Sequence, residues 1–347
     1  MPRRDAGEVK TEPASASDGS VAEVATLEHV FAVVVTYGPE VAATAELLRA
    51  LAPQVGSIII VDNGSSATTI RDLAKVAAEV GAKLRLLGSN LGIAAAQNIG
   101  IAWAREHGAH FILLSDQDSL PAPDMVSRLL AGLANAATHA LDEGGLPPAA
   151  VGPITVDQRN RGAVLIFASQ RWGPRRAVVP EQDGALIDAT FLIASGCLID
   201  MEALDVIGPM NESWFIDHID LEWGLRARRA GFGVYGVVGA KLAHSLGDRT
   251  QRIPGRARDV HIHSPVRNYY MARNTILLIR SGLLTTQWAW GYAAWITKYS
   301  VFYALTTAPR IVRAKLLLRG LRDGCDGQGG PLAQPPSRRL HPRRATR

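Results

Sequence analysis

Four short apolar runs, separated by helical patterns and each ending in polar residues, constrain this chain more than any other feature. They are Val30 to Thr36, Ser57 to Val61, Leu84 to Leu87 and Phe111 to Ser115. Runs this short and this rich in Val and Ile are what a strand covered on both faces requires. Patterns with helical spacing follow through Val41, Leu47, Leu48 and Leu51, then over roughly 68–80 and 93–107. The alternation predicts an α/β fold whose mostly parallel sheet carries helices on both faces. Ligands of such sheets lie beyond the carboxyl ends of the strands. Polar residues collect at those ends here: Thr36-Tyr37, Asp62-Asn63, Ser89-Asn90 and Asp116-Gln117-Asp118. Ordinary loops account for one or two such ends, but not for acids at two of them and polar groups at the rest.

Asp116 and Asp118, one residue apart after a buried run, point to a shared focus. Buried carboxylates without a counter-charge are costly, and a hard divalent cation bridged to phosphates relieves that cost. Carboxylate, phosphate and water are ligands that suit Mg²⁺ or Mn²⁺. Asp62 is placed to accept the imide N–H of uracil or thymine. It is equally placed to cap an Asx turn with Gly64 at positive φ, and the two readings are compatible. The small residues from Asn90 through Gly92 to Asn98 open a helix that can approach a ligand closely, and its N-terminus favours anions. No Gly-x-Gly-x-x-Gly follows the first strand and no phosphate-cradling Gly-Lys-Ser/Thr occurs, so dinucleotide dehydrogenase and nucleotide triphosphatase readings lose their support.

The densest constellation is Trp214-Phe215-Ile216-Asp217-His218-Ile219-Asp220-Leu221-Glu222-Trp223. A helix over about 219–230 would put 217 with 220, or 218 with 222, on shared faces. Capping explains one of these acids, Asp217 or Glu222, but not three acids and a histidine together. A sugar hydroxyl is a poor nucleophile and needs a carboxylate base. Asp220 is the first candidate for that base and Asp217 the second, with Trp214, His218, Glu222 and Trp223 as candidate acceptor contacts. His244, after a strand near 233–238, is a candidate third metal ligand or a structural histidine.

In this order the motifs resemble family-2 inverting glycosyltransferases of the GT-A fold, a Rossmann-like nucleotide-diphospho-sugar transferase architecture. Asp116-Gln117-Asp118-Ser119, the 215–223 segment, His244-Ser245-Leu246-Gly247, Arg267-Asn268-Tyr269-Tyr270 and Arg273-Asn274 are similar to those of bacterial rhamnosyltransferases of surface polysaccharides. The resemblance covers about 30 to 285. It implies a dTDP-β-L-rhamnose donor, a product linkage inverted to α, and a lipid-linked or polysaccharide acceptor. It also implies that Asp118 holds the metal, that Asp116 lies by the ribose or metal, and that Asp220 is the base. Thr36, Tyr37, Asp62, Asn90, Gly92, Asn98, Asp116 and Gln117 form the expected donor set. The alternatives are the same fold acting on UDP-galactofuranose or a UDP-hexose, and a catalytically silent membrane-associated scaffold, against which the acids at 116, 118 and 220 weigh.

Charge is unevenly placed. The net charge is +5, yet residues 305–347 hold ten Arg or Lys against Asp323 and Asp326, which leaves −3 for the rest. An acidic body excludes a nucleic-acid groove across the fold, and a basic end suits an anionic lipid surface. Ser281 to Thr297 carries no charge but includes Trp288, Trp290, Tyr292 and Trp295, a composition of the bilayer interface rather than of a span. A buried helical pair or a homo-oligomer interface is the other reading. The first 26 residues, without an apolar core behind Arg3 and Arg4, read as disordered and not as a signal peptide. Cys197 and Cys325 are too few for a disulfide framework. The expected organisation is a tail over 1–26, a catalytic domain over 27–264, a helical region over 265–322 and a basic tail over 323–347. The expected location is cytoplasmic and peripheral on the inner face of the plasma membrane.

Overall fold

The computed structural model describes residues 26–157, 163–244, 249–251, 260–262 and 264–332. The disorder expected for the first residues, the Ser245-Leu246-Gly247 motif and the arginines after 332 lie outside the described residues. The four apolar runs are strands β1 (Val30–Thr36), β2 (Ser57–Asp62), β3 (Lys83–Leu86) and β4 (Phe111–Asp116), with helices α1 (Val41–Leu51), α2 (Ala67–Glu79) and α3 (Ile93–Glu106) between them. They pair in parallel in the spatial order β3-β2-β1-β4. Along β1 successive side chains feed opposite layers: Val33 and Val35 join one core cluster, Val34 the other. Helix α3 lies directly on β1 because Gly100 has no Cβ; one there would meet Val33 Cγ1 at 2.3 Å.

Beyond β4 the sheet is mixed. The chain continues through β5 (Ser119–Pro121), α4 (Met125–Glu143), β6 (Pro148–Asp157), β7 (Ala163–Val164), β8 (Phe167–Gln170), β9 (Gly173–Arg176), β10 (Leu186–Ala189) and β11 (Cys197–Asp200). Helices α5 (Met201–Ile207) and α6 (Ile219–Arg229) precede β12 (Gly233–His244). The sheet order is β10-β12-β6-β11-β4-β1-β2-β3, with β5 added to β12 and β7 to β6. Strand β11 fills the slot between β6 and β4 antiparallel to both, while β12 runs parallel to β6. The expectation of a mostly parallel sheet holds along this order: β12, β6, β4, β1, β2 and β3 run the same way, and β11 and β10 run against them. A run buried on both faces reads the same in either direction, so its sequence carries no sign of strand polarity.

After two short strands, β13 (Arg249–Gln251) and β14 (Val260–Ile262), come helices α7 (Pro265–Arg280), α8 (Thr286–Thr306) and α9 (Arg310–Cys325). Among the described residues no helix is long and apolar enough to cross a membrane. Arg273 of α7 is fully buried and donates to the carbonyls of Ser213, Trp214 and Gly330. Past α9 the chain stays folded: Gly330 N donates to Ser213 O, and Leu332 N to the Tyr270 hydroxyl at 2.7 Å. Residues 323–332 thus belong to the folded body rather than to a basic tail, and polar links cross the sequence division at 264 in several places.

Candidate active site

The parallel register brings the polar strand ends into line: Thr36 pairs with Asp62, and Val35 with Asp116. Gln117 latches β4 to β1, its side-chain oxygen accepting from Tyr37 N at 2.8 Å. Tyr37 remains 56% exposed. Asp62 has no exposed surface: it accepts from the Thr36 hydroxyl (3.0 Å), the Ser65 hydroxyl and the backbone amides of Gly64 and Ser65. Of its two readings the turn-capping one is realised, and the outward-pointing carboxylate is not. Asn63, absent from the sequence candidates, donates to Asn90 Oδ1 at 3.1 Å and accepts from Leu91 N at 2.8 Å. Asn90 also accepts from Gly92 N, and Ile93 N donates to Phe215 O at 2.7 Å. The amides of Gly92 and Ile93, at the cap and first position of α3, are therefore occupied internally. Gly92 has φ +94°, and a Cβ there would lie 2.7 Å from Phe215 O, so this turn and the 213–218 segment fit only without a side chain. Asn98 is a tie as well, exchanging hydrogen bonds with the backbone of Met210.

The acids converge around the loop before β11. Asp116 Oδ2 accepts from the Ser195 hydroxyl at 2.7 Å, and the hydroxyls of Ser195 and Ser119 are 2.8 Å apart. One residue away, Ala194 N donates to Asp220 Oδ2 at 3.2 Å. Asp220 is half-buried in the first turn of α6. Desolvation first, and the Asp116 charge second, push its carboxyl up to about 7. A carboxylate poised there exchanges protons with little driving-force penalty near neutral pH.

The approach to α6 is strained. Phe215, Asp217 and His218 all adopt positive φ, at +65°, +68° and +63°, which disfavours side chains with a Cβ. Residues 217 and 218 therefore precede the helix, and the helical pairing expected of 217 with 220 does not exist. Asn274 of α7 holds the segment, donating to the carbonyls of Trp214 (2.9 Å), Ile216 (2.7 Å) and Asp217 (3.0 Å). Asp217 Oδ1 is bound to Arg267 at 2.6 Å, while its buried Oδ2 has no hydrogen-bond partner among the described residues. His218 faces the cavity described below; burial holds its ring down to about 4, hence neutral, with Nε2 2.9 Å from the Thr275 hydroxyl.

Three expected acceptor contacts are elsewhere. Trp214 and Trp223 are each 4% exposed, and the Trp223 indole donates to Gly208 O at 3.1 Å. Glu222 is buried in a two-pronged pair with Arg226 at 2.8 and 3.0 Å. Two residues along a helix turn about 200°, so Glu222 faces away from Asp220. A cavity of about 800 Å³ has Asp220 and His218 in its wall instead, and is closed by the β8–β9 hairpin and α8.

The donor set for a divalent cation fits partly by chemistry. Asp118 is half-buried at the β4–β5 turn beside Asp116, and the β5–β12 ladder sets the backbone of His244 opposite Ser119, the residue after Asp118. Two hard carboxylates at one turn match what Mg²⁺ or Mn²⁺ takes from protein when phosphates supply the rest. Among the described residues no three His, Cys, Asp or Glu side chains cluster as a ready cage.

A curled mixed sheet with helices on its faces and acids at its strand ends is a fold of the GT-A kind. Residues 32–207 match the model of glycosyl transferase family 2, and the chain belongs to that family: it is a glycosyltransferase. It is 32% identical over 255 residues, 73% of its own length and 80% of the relative's, to the dTDP-rhamnosyl transferase RfbF of Shigella flexneri. Two solved structures share the fold at a TM-score of 0.53. One is S. aureus TarS 1-349 in complex with UDP-GlcNAc, at 14% identity over 86% of this chain and 81% of that one. The other is GalNAc-T7 with UDP, GalNAc and Mn²⁺, at 11% identity over 88% of this chain and 56% of that one.

Proposed function

We propose that the protein transfers L-rhamnose from dTDP-β-L-rhamnose, with inversion to an α linkage, to a hydroxyl of a lipid-linked or polysaccharide acceptor in cell-surface glycan synthesis. The observation that carries this is Asp220: a half-buried carboxylate in the wall of the cavity, linked through the Ala194–Ser195 loop to Asp116, with its carboxyl pushed up to about 7. Among the described residues Asp220 is the one acid in the cavity wall, which suits direct displacement. The identity to a dTDP-rhamnosyl transferase supports the choice of donor.

In this reading Tyr37 stacks on the base, while Gln117 and Asn90 keep the β1 and β3 loops shaped around the nucleotide. Asp118, aided by Asp116 and His244, holds Mg²⁺ or Mn²⁺; such an ion neutralises the leaving diphosphate. A Mn²⁺ in the GalNAc-T7 structure supports that assignment. Asp220 takes the proton from the attacking hydroxyl. The work is done at the inner face of the plasma membrane, where the exposed apolar residues of α8 and α9 meet lipid.

The test is a panel of dTDP-rhamnose, UDP-galactofuranose and UDP-glucose with Mg²⁺, read as nucleotide diphosphate release. Release from dTDP-rhamnose, abolished by EDTA and restored by Mg²⁺ or Mn²⁺, is expected. Asp118→Asn should lose donor binding together with turnover. Preference for a UDP-sugar would overturn the donor, and full activity in chelator would overturn the metal.

A further inference from the structure

The cavity beside Asp220 is aromatic, yet it carries two cations with no acid to pair them. Arg175 comes from β9 and Lys298 from α8, and Asp220 is the one acid in the wall. Both cations are exposed, and neither forms an ion pair among the described residues. The two elements that present them are fixed to each other. Trp288 donates to Gln170 O at 2.7 Å, and Gly291 lies against the hairpin so closely that a Cβ would meet Trp172 O at 2.2 Å. The charges are thus held by a built joint between hairpin and helix rather than by two loose surface chains.

A volume of about 800 Å³ is in the range of small-ligand sites and admits more than one sugar ring. Trp172, Tyr292 and Trp295 offer apolar ring faces to such rings. Unpaired cations raise the local concentration of anions and reward a ligand that brings oxygens to both. An acceptor that presents a hydroxyl to Asp220 directs its reducing end away from the base, toward the rest of the cavity. From there Trp290, 69% exposed, begins an apolar face of α8 that continues through Val301 and Leu305.

We propose that Arg175 and Lys298 select an acceptor whose reducing end is linked through phosphate to a lipid, with the phosphate between the two cations and the lipid along α8. This rests on glycosyl transfer at the same site and narrows its acceptor. No covalent step is added: the two cations only bind.

The test uses the full chain and three probes with the same decyl tail: a sugar joined to it through phosphate, the same sugar joined directly, and a decyl glucuronide. Binding is followed by quenching of tryptophan fluorescence, so it does not require the natural sugar. The phosphate-linked probe should bind at least about tenfold more tightly than the neutral one, as charge-assisted contacts of this kind warrant. That preference should fall about threefold in Arg175→Gln and in Lys298→Gln, and vanish in the double variant. Equal binding of the neutral and phosphate-linked probes, or an unchanged preference in the double variant, would overturn the proposal. A glucuronide that binds as tightly as the phosphate-linked probe would also overturn it, since the cations would then be reading a carboxylate. Failure of the glycosyl-transfer reading would appear separately, as no release of dTDP from the donor by the parent enzyme.

Discussion

Asp220 must serve two opposed demands. Its carboxyl is held near 7 against an ordinary value of 3.8, so the folded state keeps a proton that the unfolded chain releases from about pH 4 upward. Stability from this group is therefore complete below about pH 4, declines as pH rises through the interval to 7, and is lost above it. Asp220→Asn, which cannot ionise, should lower kcat by roughly 10²–10⁴-fold, the usual worth of a general base. The same variant should melt higher than the parent, with the difference growing between pH 4 and 7 and level beyond. In the parent, kcat/KM should fall on the acid side with an apparent pKa near 7. Thermal melts and a pH–rate profile check both; a variant that melts lower at pH 8 would show Asp220 to be structural. Asp217→Asn, by contrast, removes the carboxylate charge that Arg267 binds and should act on stability first.

At the scale of elements, the reach of α7 into the site matters most. Asn274 spends one amide on three carbonyls of a segment with three left-handed residues, each of which is strained by about 1–3 kcal/mol. Asn274→Ala frees that segment to relax and to carry the start of α6 with it. The expected result is a loss of about 10- to 100-fold in kcat with donor KM little changed, and a displaced acid limb in the pH profile as Asp220 gains water. A stability loss with an unmoved acid limb would leave Asn274 no positioning role. The sequence made part of this legible. Apolar runs ending in polar residues located β1 to β4 and the acids at 116, 118 and 220, because those signals lie within a few consecutive residues. Ser195 and the hairpin aromatics were not legible as site residues, since they reach it from separate elements of ordinary composition, and Asn274 was legible only as part of a motif without a role. Trp214, Glu222 and Trp223 were misplaced for the converse reason. Closeness to Asp220 in sequence says nothing about face once the chain enters the helix by left-handed steps.

For the whole molecule, the basic end behaves differently from its composition. Arg313 is 3% exposed and is bound to Asn268 and to Ala308 O, with its guanidinium over Tyr303, while Arg319 leans on Asp323 at 3.5 Å. Replacing them would disturb the α7–α9 packing and not a lipid contact. Arg310 and Lys315 remain exposed beside Ile311 (73% exposed) and Leu318 (67%), and α8 adds Leu305 (66%). Ile311, Lys315 and Leu318 follow i, i+4, i+7 spacing, so one face of α9 presents apolar and basic groups together, as a helix lying on an anionic bilayer does. Near such a surface each cation contributes about 1 kcal/mol and salt screens it. Arg310→Gln with Lys315→Gln should therefore weaken sedimentation with vesicles containing anionic lipid by roughly 30-fold and flatten its salt dependence. Leu305→Glu with Leu318→Glu should remove the part that survives high salt. If both double variants bind vesicles like the parent while the glutamate pair changes the mass in solution, the ridge joins two copies of this chain instead of a membrane.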